Sequence, residues 1–112
     1  MGNSNLYKGS LTTIILKLLN EHDKMYGYEI TQKVKELTKG DLKITEGALY
    51  PSLHKLEAEG LLDVEVVTVD NRLRKYYKLT EKGTIETINK LSELQEYIKN
   101  MQVLVNPKWT FE

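Results

Sequence analysis

The sequence contains no cysteine, which excludes a disulfide framework and any thiolate metal site. No apolar run approaches the ~18–20 residues that a membrane-spanning helix requires. Met1 to Ser10 is polar and lacks the basic-then-apolar order of a secretory signal, so a cytoplasmic protein is expected, with no membrane partner. Glycine-rich loops that cradle phosphates are also missing, and the two histidines, His22 and His54, stand far apart in the chain. No enzyme, metal site or cofactor is therefore expected. There is no internal repeat, low-complexity tract or interdomain linker. What remains is a chain of 112 residues, 40% apolar and 29% charged, enough for one modest core and an appended helix.

An excess of either charge is lacking as well, since 16 basic residues balance 16 acidic ones. The balance conceals an uneven distribution. Residues 45–69 carry Lys55 against Glu46, Glu57, Glu59, Asp63 and Glu65, a net of −4. Residues 70–85 carry Arg72, Arg74, Lys75, Lys78 and Lys82 against Asp70 and Glu81, a net of +3. A basic cluster is often only a solvated surface, so its meaning depends on its place in the fold.

Leu11, Ile14, Ile15, Leu18 and Leu19 recur at helical spacing, predicting a first helix from Ser10, as N-cap, to Glu21. After the polar break His22-Asp23-Lys24, a second helix places Ile30, Val34 and Leu37 on one face and stops before Gly40. A third begins at the N-cap Thr45, with Ile44 stapled against Leu49, buries Leu49, Leu53 and Leu56, and closes at Gly60. The period then changes to two. Leu62, Val64 and Val66 alternate with Asp63 and Glu65, and the slip at Val66-Val67 marks a bulge or the strand end. Asp70-Asn71 is a turn signal, and Leu73 to Leu79 is the returning strand. Thr80 caps a last helix, and Asn106-Pro107 ends it. This order predicts a mostly α fold with a small β-hairpin: a winged helix-turn-helix unit over residues 1–79, a helix over 80–105 and a tail over 106–112.

In such folds the third helix enters the major groove and the hairpin touches the flanking backbone or minor groove. On a helical wheel Leu49, Leu53 and Leu56 fall within about 60° of one another. Opposite them lie Gly47, Pro51, His54 and Ala58, with Tyr50 and Lys55 on the shoulders. Small residues around a few hydrogen-bonding side chains suit close approach to a duplex. Gly47 and Pro51 are poor helix formers, costing about 1 and 3 kcal/mol relative to alanine, and such local violations tend to serve function. The alternative is that Pro51 opens the helix in its first turn, with Thr45 to Tyr50 an ordered turn. The candidate DNA-contacting residues are Thr45, Gly47, Tyr50, Pro51, His54 and Lys55 on the helix, with Arg72, Arg74 and Lys75 on the wing. The competing reading is a winged-helix module for protein-protein contact, its acidic residues Glu46, Glu57 and Glu59 meeting a basic partner.

At these residues the chain resembles the PadR family of bacterial transcription regulators. The likeness rests on Tyr26-Gly27-Tyr28-Glu29-Ile30, on Thr45-Glu46-Gly47-Ala48-Leu49-Tyr50-Pro51-Ser52-Leu53 with Leu56-Glu57 and Gly60-Leu61, and on Arg74-Lys75-Tyr76-Tyr77-Lys78-Leu79-Thr80-Glu81-Lys82-Gly83. The resemblance implies a dimeric repressor that binds double-stranded DNA at a two-fold operator and is released by a small molecule or another signal. The length is similar to that of the short subgroup, which dimerises through a single C-terminal helix. Two features depart from the pattern. The wing tip Val69-Asp70-Asn71-Arg72-Leu73 lacks the glycines of many relatives, and the tail Asn106 to Glu112 matches no family motif.

The last helix carries two apolar registers. Ile85 and Ile88 are expected to pack on the helix-hairpin core. From there Leu91, Leu94, Ile98, Met101 and Val105 alternate by three and four, the spacing of a two-helix seam, which predicts a homodimer. The alternative is a tail folded back over its own domain. Trp109, the sole tryptophan, is a candidate contact for a flat effector. The favoured reading is that Trp109 and Phe111 anchor the tail on an apolar surface.

Overall fold

In the computed structural model, which describes residues 6–106, a 3₁₀ turn at Leu6–Ser10 leads into α1 (Leu11–Glu21). There follow β1 (Met25–Tyr26), α2 (Gly27–Leu37), α3 (Glu46–Ala58), β2 (Leu62–Val69), β3 (Arg72–Leu79) and α4 (Glu81–Val105). The expected order stands, with the 3₁₀ turn and β1 added. The sheet has three antiparallel strands in the order β1-β3-β2, because Met25 and Tyr26 pair with Tyr77 and Tyr76. Two residues are too few to show an alternation, so the sequence displays only a polar break before α2.

α1 lies at the centre and packs on α4, α3 and β3. Ile15 and Leu16 are fully buried, and Leu11, Leu18 and Leu19 nearly so. Ser10 does not act as the expected cap: its hydroxyl donates back to the Tyr7 carbonyl at 3.2 Å, because the chain enters through the 3₁₀ turn. Tyr7 is itself buried, and its hydroxyl accepts the Thr45 N–H at 3.4 Å, tying the chain entry to the start of α3.

Ile30 and Val34 of α2 join the core, but Leu37 stays 65% exposed, contrary to its expected place on the buried face. The helix ends at that point. Thr38 closes it by donating its hydroxyl to the Val34 carbonyl and accepting the Leu42 N–H, and Lys39 and Gly40 follow in the left-handed region. α3 is continuous through Pro51, so the reading in which proline opens the helix is set aside. The Thr45 side chain accepts the Ala48 N–H at 3.2 Å, and Leu49, Leu53 and Leu56 are buried as expected. Proline at 51 removes the amide that would reach the Gly47 carbonyl, and both residues lie on the exposed side, where water can serve that oxygen. Gly60, at a φ of 79°, turns the chain into β2.

The β2–β3 register runs unbroken from Leu62↔Leu79 to Val69↔Arg72, so Val66-Val67 is neither a bulge nor the strand end. The slip in alternation has another cause. Beyond Val64 the wing leaves the core: Val66 and Leu73 are 54% and 77% exposed, and the half-buried side of β2 passes to Val67 and Val69. Asp70 and Asn71, at φ 50° and 64°, form the two-residue turn.

α4 corrects the expectation for its first turns. Ile85 and Ile88 are exposed, while Gly83 and Thr87 face the core and are buried. The contact face is chosen by size. A Cβ at position 83 would overlap the Leu61 carbonyl oxygen and lie 3.0 Å from its carbon. The Thr87 hydroxyl satisfies itself on the Gly83 carbonyl at 2.7 Å. A larger residue at position 83 would hold the start of α4 away from Leu61 and Leu79 at the base of the wing. No described helix is long and apolar enough to cross a membrane.

Two glycines make opposite predictions. Gly83→Ala is expected to lower stability by about 2–3 kcal/mol, because the overlap is with backbone, read as a reduced urea midpoint at unchanged slope. At Gly47, where an added Cβ would meet nothing within 4 Å and φ is not positive, alanine is expected to stabilise by up to about 1 kcal/mol. Tyr77 supplies a pH test. Burial first, then Glu57 and Tyr50, pushes its phenol above the ordinary value of 10. The folded form therefore holds the proton more tightly than the unfolded chain. Its contribution is complete below about pH 10 and is lost as pH rises through the folded value. Tyr77→Phe is expected to flatten this alkaline fall in the urea midpoint.

Candidate nucleic-acid interface

The α3 side chains opposite the leucine stripe all reach solvent: Gly47, Tyr50, Pro51, His54 and Ala58 are exposed, with Lys55 beside them. Thr45 is exposed at the helix start, with its side-chain oxygen committed to the cap. Between this face and the wing lies a cleft of about 350 Å³, lined by Tyr50 and His54 from α3, Leu73, Arg74, Lys75 and Tyr77 from β3, Tyr26 from β1, and Gly27 and Tyr28 from the start of α2. Four of the nine residues expected to meet DNA thus share one cleft. Gly47, Pro51 and Lys55 extend it along α3, and Arg72 stands at the wing tip.

Sequence reasoning misses Tyr26, Gly27 and Tyr28 as site residues. Gly27 is a spatial requirement of Tyr50, since a Cβ there would lie 2.8 Å from the Tyr50 ring carbon Cζ. Tyr28 is 61% exposed at the cleft edge. The available signal is the Tyr26-Gly27-Tyr28-Glu29 run itself, which helical periodicity does not interpret. Glu29 fastens this corner by accepting the Tyr26 N–H at 3.0 Å.

The wing charges are not used up internally. The ion pairs among the described residues are Lys17–Glu21, Lys24–Glu65 and Lys33–Glu36, so none involves Lys55, Arg72, Arg74 or Lys75. Arg74 instead places its guanidinium 4.1 Å from the Tyr26 ring centroid. The Tyr76 side chain is the main cause holding its pKa further above the ordinary value, so it remains charged throughout the working range. Lys24 lies 5.1 Å above the Tyr76 ring and 3.1 Å from Glu65.

The residues expected at a dimer seam fall into two groups. Leu91 and Leu94 are half-buried against their own domain, lining an apolar groove of about 440 Å³ with Ile14, Leu18, Val34, Leu37 and Leu42. Ile98 and Val105 are 48% and 67% exposed, Met101 is half-buried, and Val103 and Leu104 add exposed apolar surface outside the heptad spacing. Tyr97 is exposed on α4. Trp109 lies outside the described residues.

Comparison with known proteins identifies the fold and the family. A sequence profile described as the transcriptional regulator PadR-like family matches residues 15–89. The transcriptional regulator Rv3488 of Mycobacterium tuberculosis is 34% identical over 79 residues, covering 70% of this chain and 71% of its own. Among solved structures, a transcriptional regulator from Clostridium thermocellum superposes with a TM-score of 0.83 at 30% identity, covering 92% of this chain and all of its own. A PadR-like transcription factor from Bacteroides fragilis gives 0.72 at 34% identity, covering 91% and 96%. The chain belongs to the PadR-like family of transcriptional regulators, a winged-helix family of regulators and not of enzymes.

Proposed function

We propose that this regulator is a cytoplasmic, sequence-specific DNA-binding homodimer acting as a repressor, with α3 in the major groove and the wing on the flanking backbone or minor groove. The observation that carries the reading is the cleft in which the open face of α3 meets wing cations that belong to no ion pair among the described residues. Phosphate contacts by Arg72, Arg74 and Lys75 supply affinity, and His54 and Tyr50 supply base-edge contacts. The absence of a Cβ at Gly47 leaves room for the helix to approach the duplex. Repression, and release by a small molecule, are supported by membership of the family alone.

The dimer reading rests on α4. Twenty-five residues span about 37 Å, which carries the helix beyond the head, and the whole molecule measures 64 × 31 × 21 Å. Burying each exposed side chain among Ile98, Val103, Leu104 and Val105 is worth about 1.5–3 kcal/mol. A second copy supplies the matching surface, and two heads suit half-sites about one helical turn apart.

A mobility shift on the protein's own promoter region tests the first claim. Salt-sensitive binding is expected, whereas an absence of binding to any genomic duplex would favour the protein-protein module. Arg74→Ala with Lys75→Ala is expected to weaken binding to all sequences and to reduce the salt slope by about 2 per subunit. His54→Ala is expected to change the preference among sites. Sedimentation at micromolar concentration is expected to show a dimer, and a monomer there would refute the α4 seam.

A further inference from the structure

β1 is two residues long and adds almost nothing to the core beyond Met25, yet it pairs in register with β3 and is fastened by Glu29. What it achieves is the placement of one ring. Tyr26 stands opposite Tyr76 across the β1–β3 pair, and the two rings meet edge-on at 5.4 Å with an interplanar angle of 77°. Tyr76 is supported in turn by Lys24 on its face, and Lys24 by Glu65. The supported Tyr26 ring carries the Arg74 guanidinium at 4.1 Å, at the mouth of the cleft beside α3.

From this geometry we infer that Tyr26 is a positioning residue for DNA binding: its ring holds the Arg74 guanidinium in a bound-like orientation before DNA arrives. The inference rests on the DNA-binding reading above. A free arginine side chain samples many rotamers, and most of that freedom is lost when its planar fork meets a phosphate or base edge. A guanidinium already stacked on a fixed ring loses less. Arg72 and Lys75 lack any such stack among the described residues and serve as mobile charges, so the wing combines one oriented cation with two diffuse ones.

Stacking and binding are measurable separately. In the free protein, the Arg74 δ-methylene protons are expected to be shifted upfield by the ring current of Tyr26. The shift is expected to persist in Tyr26→Phe and to vanish in Tyr26→Leu. A duplex recovered from genomic DNA by the wild-type protein then serves as the probe. Tyr26→Leu is expected to bind it about three- to tenfold more weakly, at an unchanged salt slope because the charge is still present. Tyr26→Phe is expected to stay within about twofold of wild type. Arg74→Ala lowers the slope by about 1, and adding Tyr26→Leu to it is expected to cost nothing more. Additive effects of the two substitutions, or wild-type or tighter binding by Tyr26→Leu, would overturn the positioning role. Failure of the wild-type protein to retain any duplex would overturn the DNA reading beneath it, while the proton shift would still report whether the stack exists.

Discussion

The Leu61 carbonyl oxygen accepts the Thr80 N–H at 3.0 Å while the backbone of Gly83 passes close enough that a methyl group there would overlap it. Three elements meet at this point: the end of α3, the base of the wing and the start of α4. The neighbouring Gly60 and Glu59 carbonyls accept the Thr80 hydroxyl at 2.7 Å and the Lys82 ammonium at 3.0 Å. Because these bonds join segments about twenty residues apart, they set the wing's direction relative to α3 and the direction in which α4 leaves the head. The geometry of the cleft and of the projecting helix both follow from one close backbone approach.

Within that frame, α3 divides its duties by face. Leu49, Leu53 and Leu56 anchor it, and a continuous apolar stripe tolerates Gly47 and Pro51 on the opposite side. The helix is weakened locally on the face where close approach to a partner has most value. The wing separates roles in a similar way. Tyr77 locks the strand into the core, and alternate residues on the other sheet face build the Tyr26–Tyr76–Arg74 cluster.

Much of this was legible in the chain because it depends on local periodicity. The caps Thr45 and Thr80, the α3 stripe and the Asp70-Asn71 turn are each encoded by side chains that act on their own neighbours. What was not legible depends on packing between distant segments. Leu37 is apolar at helical spacing but falls where α2 ends, and Ile85 and Ile88 give way to Gly83 and Thr87 because closeness of backbones decided the contact face of α4. The alternation slips at Val66-Val67 because the half-buried side of β2 changes there, while the hydrogen-bond register continues unbroken. β1 was invisible because its two residues become a strand only when β3 lies alongside.

The uneven charge of the chain, its single-domain length and the order of its helices and strands follow from the sequence by itself, since composition and period are properties of short segments. So do the family and the face of α3 that is left open. Only the tertiary structure decided which wing cation is stacked and which are free, because Lys24, Tyr26, Glu65, Arg74 and Tyr76 come together through strand pairing across some fifty residues. It also decided which side of α4 meets the head, a choice made by the space a glycine leaves beside a carbonyl and not by hydrophobicity.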